Sequence, residues 1–290
     1  RSLVRTPFSC EEKKDAETLL SKFGEFCKVD LQLSRITTRG HLFHIRHFLK
    51  SIDRQLDELT VDDVRTYLKG FQTKSNGTYS NVVKSLRRFL RDFLGRPELV
   101  KTFKFPQMTF TPKQLPSKED LRRFFNALTN NRDRTVFLLF ATSGPRRSEL
   151  LSLRLDEVDL ENRTIIPKNA HETGTTKNTW ATCFNAECQT YLRRYLSNRQ
   201  TDDRRLVSVT DTTLRRMFKK ANNRTELHIT PQVLRAWFCN ELGELGIQDR
   251  YVDALCGRIP KSVLARHYTD YSPEKLKRIY NKANLRVLSD

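Results

Sequence analysis

Apolar residues recur at helical spacing through most of the chain. Over residues 11–29, Leu19, Leu20, Phe23 and Phe26 fall on one face of a 3.6-residue period, and Leu42, Ile45, Phe48 and Leu49 do the same over 36–52. Thr60-Val-Asp-Asp63 has the form of a capping box with Asp in place of Glu, opening a third helix over 61–71. Asn76-Gly77 marks a turn. Val82, Val83, Leu86, Phe89 and Leu90 then stripe a fourth helix over 78–94. Four such helices with short links predict a compact bundle.

The pattern changes over 104–116 (KFPQMTFTPKQLP), which holds three of the ten prolines and no helical period, so a domain boundary is expected near 112. Ser117-Lys-Glu-Asp120 restarts a helix, and 117–154 reads as helical with one break at Gly144-Pro145. Residues 163–167 and 179–184 are β-rich around a polar stretch containing Gly174, which predicts a β-hairpin. Helices are expected over 185–199 and 211–221. Thr230-Pro231 offers an N-cap and a proline at the first helical position for a helix through Leu242, ended by Gly243 or Gly246. A short helix over 249–256 stops at Gly257, and Ser272-Pro273-Glu274 caps a last one through about Asn284. The expected class is mainly α: a helical bundle over 1–112, then a mostly helical domain over 113–290 with a small antiparallel sheet that includes the hairpin.

Charge narrows the function. The 290 residues carry a formal net charge of +19. Residues 1–112 hold 21 basic and 13 acidic side chains, and residues 113–290 hold 32 and 21. An excess in both halves points to a polyanion, nucleic acid being the commonest. A membrane-surface protein fits less well, because the charge is not gathered on one amphipathic helix. No apolar run approaches the length of a spanning helix, and the first residues lack an apolar signal core, so a cytoplasmic, nucleoid-associated location is expected, or the host cytoplasm for a virus- or plasmid-borne copy. The six cysteines form no Cys-x-x-Cys pair and read as reduced thiols.

Arg146 follows Gly144-Pro145 at a helix start, where a guanidinium and the helix N-terminus can face one anion. Arg235 sits among Val233, Leu234, Trp237 and Phe238, an apolar setting that calls for a reason. Arg258 follows Cys256-Gly257, and Tyr268 comes ten residues later. Together these segments resemble the tyrosine recombinase (phage-type integrase) family. Gly144-Pro-Arg-Arg-Ser-Glu-Leu150 resembles its first-arginine box, and Thr230-Pro-Gln-Val-Leu-Arg235 its T-P-H-x-L-R box. Leu255-Cys-Gly-Arg258 sits where L-G-H is usual, and Tyr268-Thr-Asp-Tyr-Ser-Pro-Glu resembles the nucleophile box. In the first domain, Asp62-Asp-Val-Arg-Thr-Tyr-Leu68 and Thr78-Tyr-Ser-Asn-Val-Val-Lys84 resemble the family's SAM-like core-binding domain. The run from Ala265 through Glu274 is most similar to integrases of archaea and mobile elements.

The resemblance implies an enzyme that cuts and rejoins duplex DNA. Tyr268 attacks a phosphodiester, leaving a 3′-phosphotyrosine and a free 5′-hydroxyl, with no cofactor or metal because the covalent intermediate keeps the bond energy. Arg146 and Arg235 clamp the charge that develops on the phosphate oxygens. A hairpin lysine protonates the leaving oxygen, with Lys177 favoured and Lys168 its rival. Glu149 orients an active-site group. Gln232 and Arg258 depart from the family's usual His at their positions and leave no obvious proton acceptor. Activation of the phenol by the cationic cluster itself is the favoured reading, with His267, next to Tyr268, and His228, before the second-arginine box, as its rivals. Tyr271 is the rival nucleophile, while Tyr251 and Tyr280 read as structural. The implied partners are duplex DNA held by both domains as a clamp and further copies of this chain. A tetramer would form on paired sites, with the final helix docked on a neighbour through Leu276, Ile279 and Tyr280. Two other readings stay open: a type IB topoisomerase-like enzyme, and a decayed recombinase that only binds DNA. His41, His44 and His47 recur every three residues, as a polar or DNA-facing helix side or as a metal site.

Overall fold

The computed structural model describes residues 10–52, 55–107, 111–112, 114–168, 181–200, 202–258 and 262–289. The chain divides into two compact units, Arg1–Pro112 and Lys113–Asp290. The fold class is the one the periodicity predicts, mainly helical with a small antiparallel sheet.

The first unit contains α1 (Cys10–Val29), α2 (Arg35–Leu49), α3 (Val61–Lys69) and α4 (Asn76–Leu86). The expected cap at Thr60 forms: its side chain accepts from the Asp63 amide while the Asp63 carboxylate accepts from the Thr60 amide. The fourth helix does not stay regular to 94. It passes into a π-helical turn over Arg87–Phe93, where the Leu94 amide reaches back to the Phe89 carbonyl. That segment places Phe89 and Phe93 against Phe23, with ring centroids 5.2 and 5.4 Å away, in the centre of this unit's core. His41 shares a hydrogen bond with Ser85 and His47 one with Tyr67, so two of the three periodic imidazoles serve helix packing.

The second unit is built around α6 (Asn131–Ser143), which is buried from Thr135 to Ser143, as expected of a helix apolar on all sides. Its neighbours are α5 (Lys118–Asn126), α7 (Arg147–Ser152), α8 (Ala186–Ser197), α9 (Asp211–Thr225), α10 (Pro231–Glu244), α11 (Asp249–Leu255), α12 (Val263–His267) and α13 (Pro273–Ala283). The region 117–154 breaks twice, not once. Besides Gly144, the chain leaves the helix after Asn126, because Asn130 caps α6 by accepting from the Asp133 amide. The hairpin strands are β2 (Thr164–Ile165) and β3 (Thr182–Cys183), with Thr164 opposite Cys183. A third strand that composition did not reveal, β1 (Val158–Asp159), pairs antiparallel with β2. The sheet is tied to α6 by the Thr182 hydroxyl, which donates to the Ser143 carbonyl at 2.9 Å. No described helix is long and apolar enough to cross a membrane.

The apolar face of α13, expected on a neighbouring copy, is covered by its own chain in this structure. Leu276 and Tyr280 are buried, Ile279 packs against the core, and the Tyr280 hydroxyl donates to the Thr142 carbonyl at 2.7 Å. The residues after α13 are held as well: the Glu187 carboxylate accepts from the amides of Val287, Leu288 and Ser289.

Candidate active site

The turn between α6 and α7 presents Arg146. Gly144 ends α6 at φ +58, a left-handed conformation that glycine adopts without strain. Phe238 of α10 lies against it so closely that no side chain fits there. Arg146 then caps α7. Its amide donates to Glu149 Oε2 at 2.6 Å and its guanidinium to Glu149 Oε1 at 2.5 Å, so Glu149 fixes both the backbone and the side chain of Arg146.

Arg235 comes from the second turn of α10. The helix starts as predicted, with Thr230 accepting from the Val233 amide and Pro231 at its first position. Arg235 is only 5% exposed. Its two terminal nitrogens donate to the carbonyls of Gly144 and Cys256, each at 2.5 Å. Neither acceptor is charged, and among the described residues no carboxylate pairs with Arg235. Burial, with a smaller contribution from the positive charge of Arg146, pulls its pKa below the ordinary arginine value, against the attraction of Glu149. A buried cation bonded only to neutral oxygens leaves its charge available to an external anion.

The stretch Cys256–Arg258 joins the parts. α11 ends in a Schellman motif: the Arg258 amide reaches the Asp253 carbonyl and the Gly257 amide the Ala254 carbonyl, both at 2.8 Å, with Gly257 at φ +60. The turn points the Cys256 carbonyl at Arg235 and the Gly257 carbonyl at Arg146 Nη2, 3.4 Å away. Arg258 itself pairs with Asp253 at 2.9 Å and approaches Cys239 Sγ at 3.6 Å. Arg146 and Arg235, 89 positions apart, thus meet on the consecutive carbonyls of Gly257 and Cys256, and Arg258 is the next residue in the chain.

Tyr268 lies at the end of α12, a short helix that the periodicity did not predict and that buries none of its side chains. It is 77% exposed. Among the described residues no hydrogen bond joins its hydroxyl to Arg146, Arg235 or Arg258, so the structure gathers the arginines but leaves the phenol outside their contacts. Tyr271 differs: its hydroxyl donates to the Ala265 carbonyl at 2.6 Å, and its ring packs edge-on to Tyr251. Gln232 is exposed on the first turn of α10. His267 is exposed beside Tyr268, and His228 lines a basic hollow with Arg147, Arg215 and Lys219. Lys168 is exposed and paired with Asp156 at 2.7 Å, and Lys177 lies outside the described residues. Among the described residues no group of three or more His, Cys, Asp or Glu could hold a metal ion. Sequence reading missed Cys239 and Cys256, whose sulfurs are 3.2 Å apart although 17 positions separate them. Their one signal was that Cys239 follows Arg235 by four residues on the same helix, hence on the same face.

The chain is similar to known proteins in sequence and fold. A family model described as the phage integrase family matches residues 116–275. The tyrosine recombinase XerA of Thermococcus onnurineus (strain NA1) is 27% identical over 265 residues, covering 86% of this chain and 89% of its own. The tyrosine recombinase XerC of Bacillus pumilus (strain SAFR-032) is 27% identical over 297 residues, covering 91% and 95%. Among solved structures, a lambda integrase dimer bound to a COC′ core site shares the fold with a TM-score of 0.66 at 14% identity, over 88% of this chain and 77% of that one.

Proposed function

The chain belongs to the phage integrase family, the tyrosine recombinases, and from that membership we infer a site-specific recombinase that cuts and rejoins duplex DNA through a 3′-phosphotyrosine intermediate. The observation that carries the reading is the meeting of Arg146 and Arg235 on the carbonyls of Gly257 and Cys256, directly before Arg258 and about ten residues before the exposed Tyr268.

In this reading a scissile phosphate sits against Arg235 and Arg146. Forked, permanently charged donors match its non-bridging oxygens, and their attraction grows as the transition state adds negative charge there. The carbonyls of Gly144 and Cys256 hold Arg235 in place beforehand, so little reorganisation is needed during reaction. Tyr268 swings in from its exposed position on α12. Its oxygen attacks phosphorus, the bond to the 5′-oxygen breaks, and the leaving oxygen takes a proton from Lys177. Gln232 donates a hydrogen bond to phosphate. Arg258 adds fixed charge that favours the phenolate, and the phenol's proton passes to water, since neither Gln232 nor Arg258 can accept it. The reverse attack by a 5′-hydroxyl regenerates tyrosine, so the cycle needs no cofactor.

Residues 1–112 serve as a core-binding domain and residues 113–290 as the catalytic domain, and both contact the duplex. The working assembly is a tetramer on paired sites. Exchange of α13 between copies would be a swap: the contacts now made in cis by Leu276 and Tyr280 would be remade by a neighbour's helix.

A nicked suicide substrate tests the chemistry. Wild-type protein is expected to form a covalent adduct that survives denaturation, and absence of an adduct on the protein's own target DNA refutes the reading. A substrate with sulfur in place of the leaving 5′-oxygen needs no proton. It is expected to rescue cleavage by Lys177→Ala, whereas Lys168→Ala should need no rescue. Joining of two separate sites, against relaxation of supercoils by single copies, separates recombinase from topoisomerase.

A further inference from the structure

The stretch that positions the three arginines carries a thiol. Cys256 Sγ lies 3.2 Å from Cys239 Sγ, and both cysteines are reduced. Cys239 stands one turn beyond Arg235 on α10, so Arg235 touches the carbonyl of Cys256 and Cys239 its sulfur. Arg258 closes the group from the other side, at 3.6 Å from Cys239 Sγ. Cys256 is buried, while Cys239 is partly open to solvent.

We propose that Cys239 and Cys256 form a redox-modification site, in which a hydroperoxide links the two sulfurs as a disulfide and disables the arginine cluster until a thiol reductant reopens it.

The chemistry balances. The Cys239 thiolate attacks one peroxide oxygen, the O–O bond breaks, and sulfenic acid and hydroxide result. The Cys256 sulfur then attacks the sulfenic sulfur, expelling hydroxide that leaves as water with the Cys256 proton. In net terms two thiols and one hydrogen peroxide become one disulfide and two waters. The surroundings favour this order of events. The hydrogen bond with Cys256, helped by the charges of Arg258 and Arg235 and opposed by burial, draws the Cys239 thiol below the ordinary cysteine value, while the same bond and burial push Cys256 up. Cys239, the partly open partner, is therefore the nucleophile, and the buried Cys256 the resolving thiol.

The consequence follows from connectivity. Closing the sulfurs from 3.2 Å to a bonded distance of about 2 Å moves Cys256 toward α10 or twists its backbone. The Cys256 carbonyl holds Arg235, the neighbouring Gly257 carbonyl faces Arg146, and the next residue is Arg258. A displacement of one residue is thus felt by all three guanidiniums, and loss of one preorganised donor costs about 10²–10³ in rate. Cys239 and Cys256 act here as positioning residues.

The loss of activity rests on the strand-transfer reading, but formation of the disulfide does not. The test treats the full chain with hydrogen peroxide, maps thiols by differential alkylation and mass spectrometry, and in parallel measures adduct formation on the nicked substrate before oxidation, after it, and after dithiothreitol. The expected result is a 239–256 linked peptide, a fall of about tenfold or more in adduct formation, and recovery with reductant. Cys239→Ser and, separately, Cys239→Ala should abolish the link and make adduct formation indifferent to peroxide relative to the same variant untreated. If neither variant folds, the wild-type mapping and its reversal decide alone. Failure of the link to form, a link that leaves cleavage undiminished, or equal peroxide sensitivity in the folded Cys239 variants overturns the proposal. If the reduced wild-type protein makes no adduct, the strand-transfer reading fails, and the mapped peptide still reports on the thiol pair.

Discussion

Phe238 packs over Gly144 so closely that a Cβ at that glycine would stand 2.3 Å from Phe238 Cδ1. The contact sets α10, which carries Arg235, against the turn that carries Arg146. It also keeps the Gly144 carbonyl where Arg235 can use it.

Gly144→Ala is therefore expected to be damaging twice over. Alanine at φ +58 is strained, and its methyl group must displace a fully buried ring. Together these should cost about 2–4 kcal/mol of stability. A denaturant titration with unchanged slope would measure it, and a loss below about 0.5 kcal/mol would show that the ring yields freely.

Arg235→Lys keeps the charge but cannot bridge two carbonyls. Adduct formation on the nicked substrate should fall about 10²–10³-fold, while affinity for the same DNA changes far less, because many phosphate contacts share the binding. Equal losses in both measurements would make Arg235 a binding residue only.

The two tyrosines of the nucleophile box should behave oppositely. Tyr268→Phe is expected to abolish the covalent adduct, and Tyr271→Phe to retain it while losing the hydrogen bond to Ala265, at a cost of about 1 kcal/mol. An adduct in Tyr268→Phe that disappears in Tyr271→Phe would reverse the assignment.

Glu187 makes the segment after α13 sensitive to acid. Burial opposes its ionisation, but the amides of Val287 and Ser289, with the Asn185 and Ser289 side chains, outweigh it and hold the carboxyl below the ordinary Glu range. A carboxyl lowered by folding stabilises fully above its unfolded value and loses that contribution as pH falls through its folded one. Amide exchange at 287–289, corrected for its intrinsic pH dependence, should thus be steady from neutral pH down to about 5 and quicken only below the ordinary Glu range. Glu187→Gln should quicken it already at neutral pH, by roughly 1–2 kcal/mol in opening free energy. Under the proposed exchange of α13 between copies, the same variant should also shift the assembly on DNA.

Binding should weaken steeply with salt. If both units contact phosphates as proposed, a chain at +19 releases many counterions on binding, so log affinity should fall linearly with log salt. A flat dependence would place the positive charge away from the DNA.

The sequence by itself determined whatever is closed within a few residues. The caps at Thr60, Ser117 and Thr230 are bonds across three positions, so their residue types announce them before any fold exists. The helical stripes and the glycine stops at 144, 246 and 257 are local in the same sense. The spacing of the arginine boxes was equally legible through its resemblance to a family. Tertiary structure alone decided what meets across the chain. It brought Arg235 to Gly144, 91 positions away, and Cys239 to Cys256. It put Tyr280 on Thr142 in cis, where an apolar stripe had equally suggested a neighbour. It also added β1, whose two residues are too few for any alternation to register. The reason is that an apolar face or a forked donor states what kind of partner it needs, while which partner it finds depends on the closure of long loops and on the packing of helices that no short window contains.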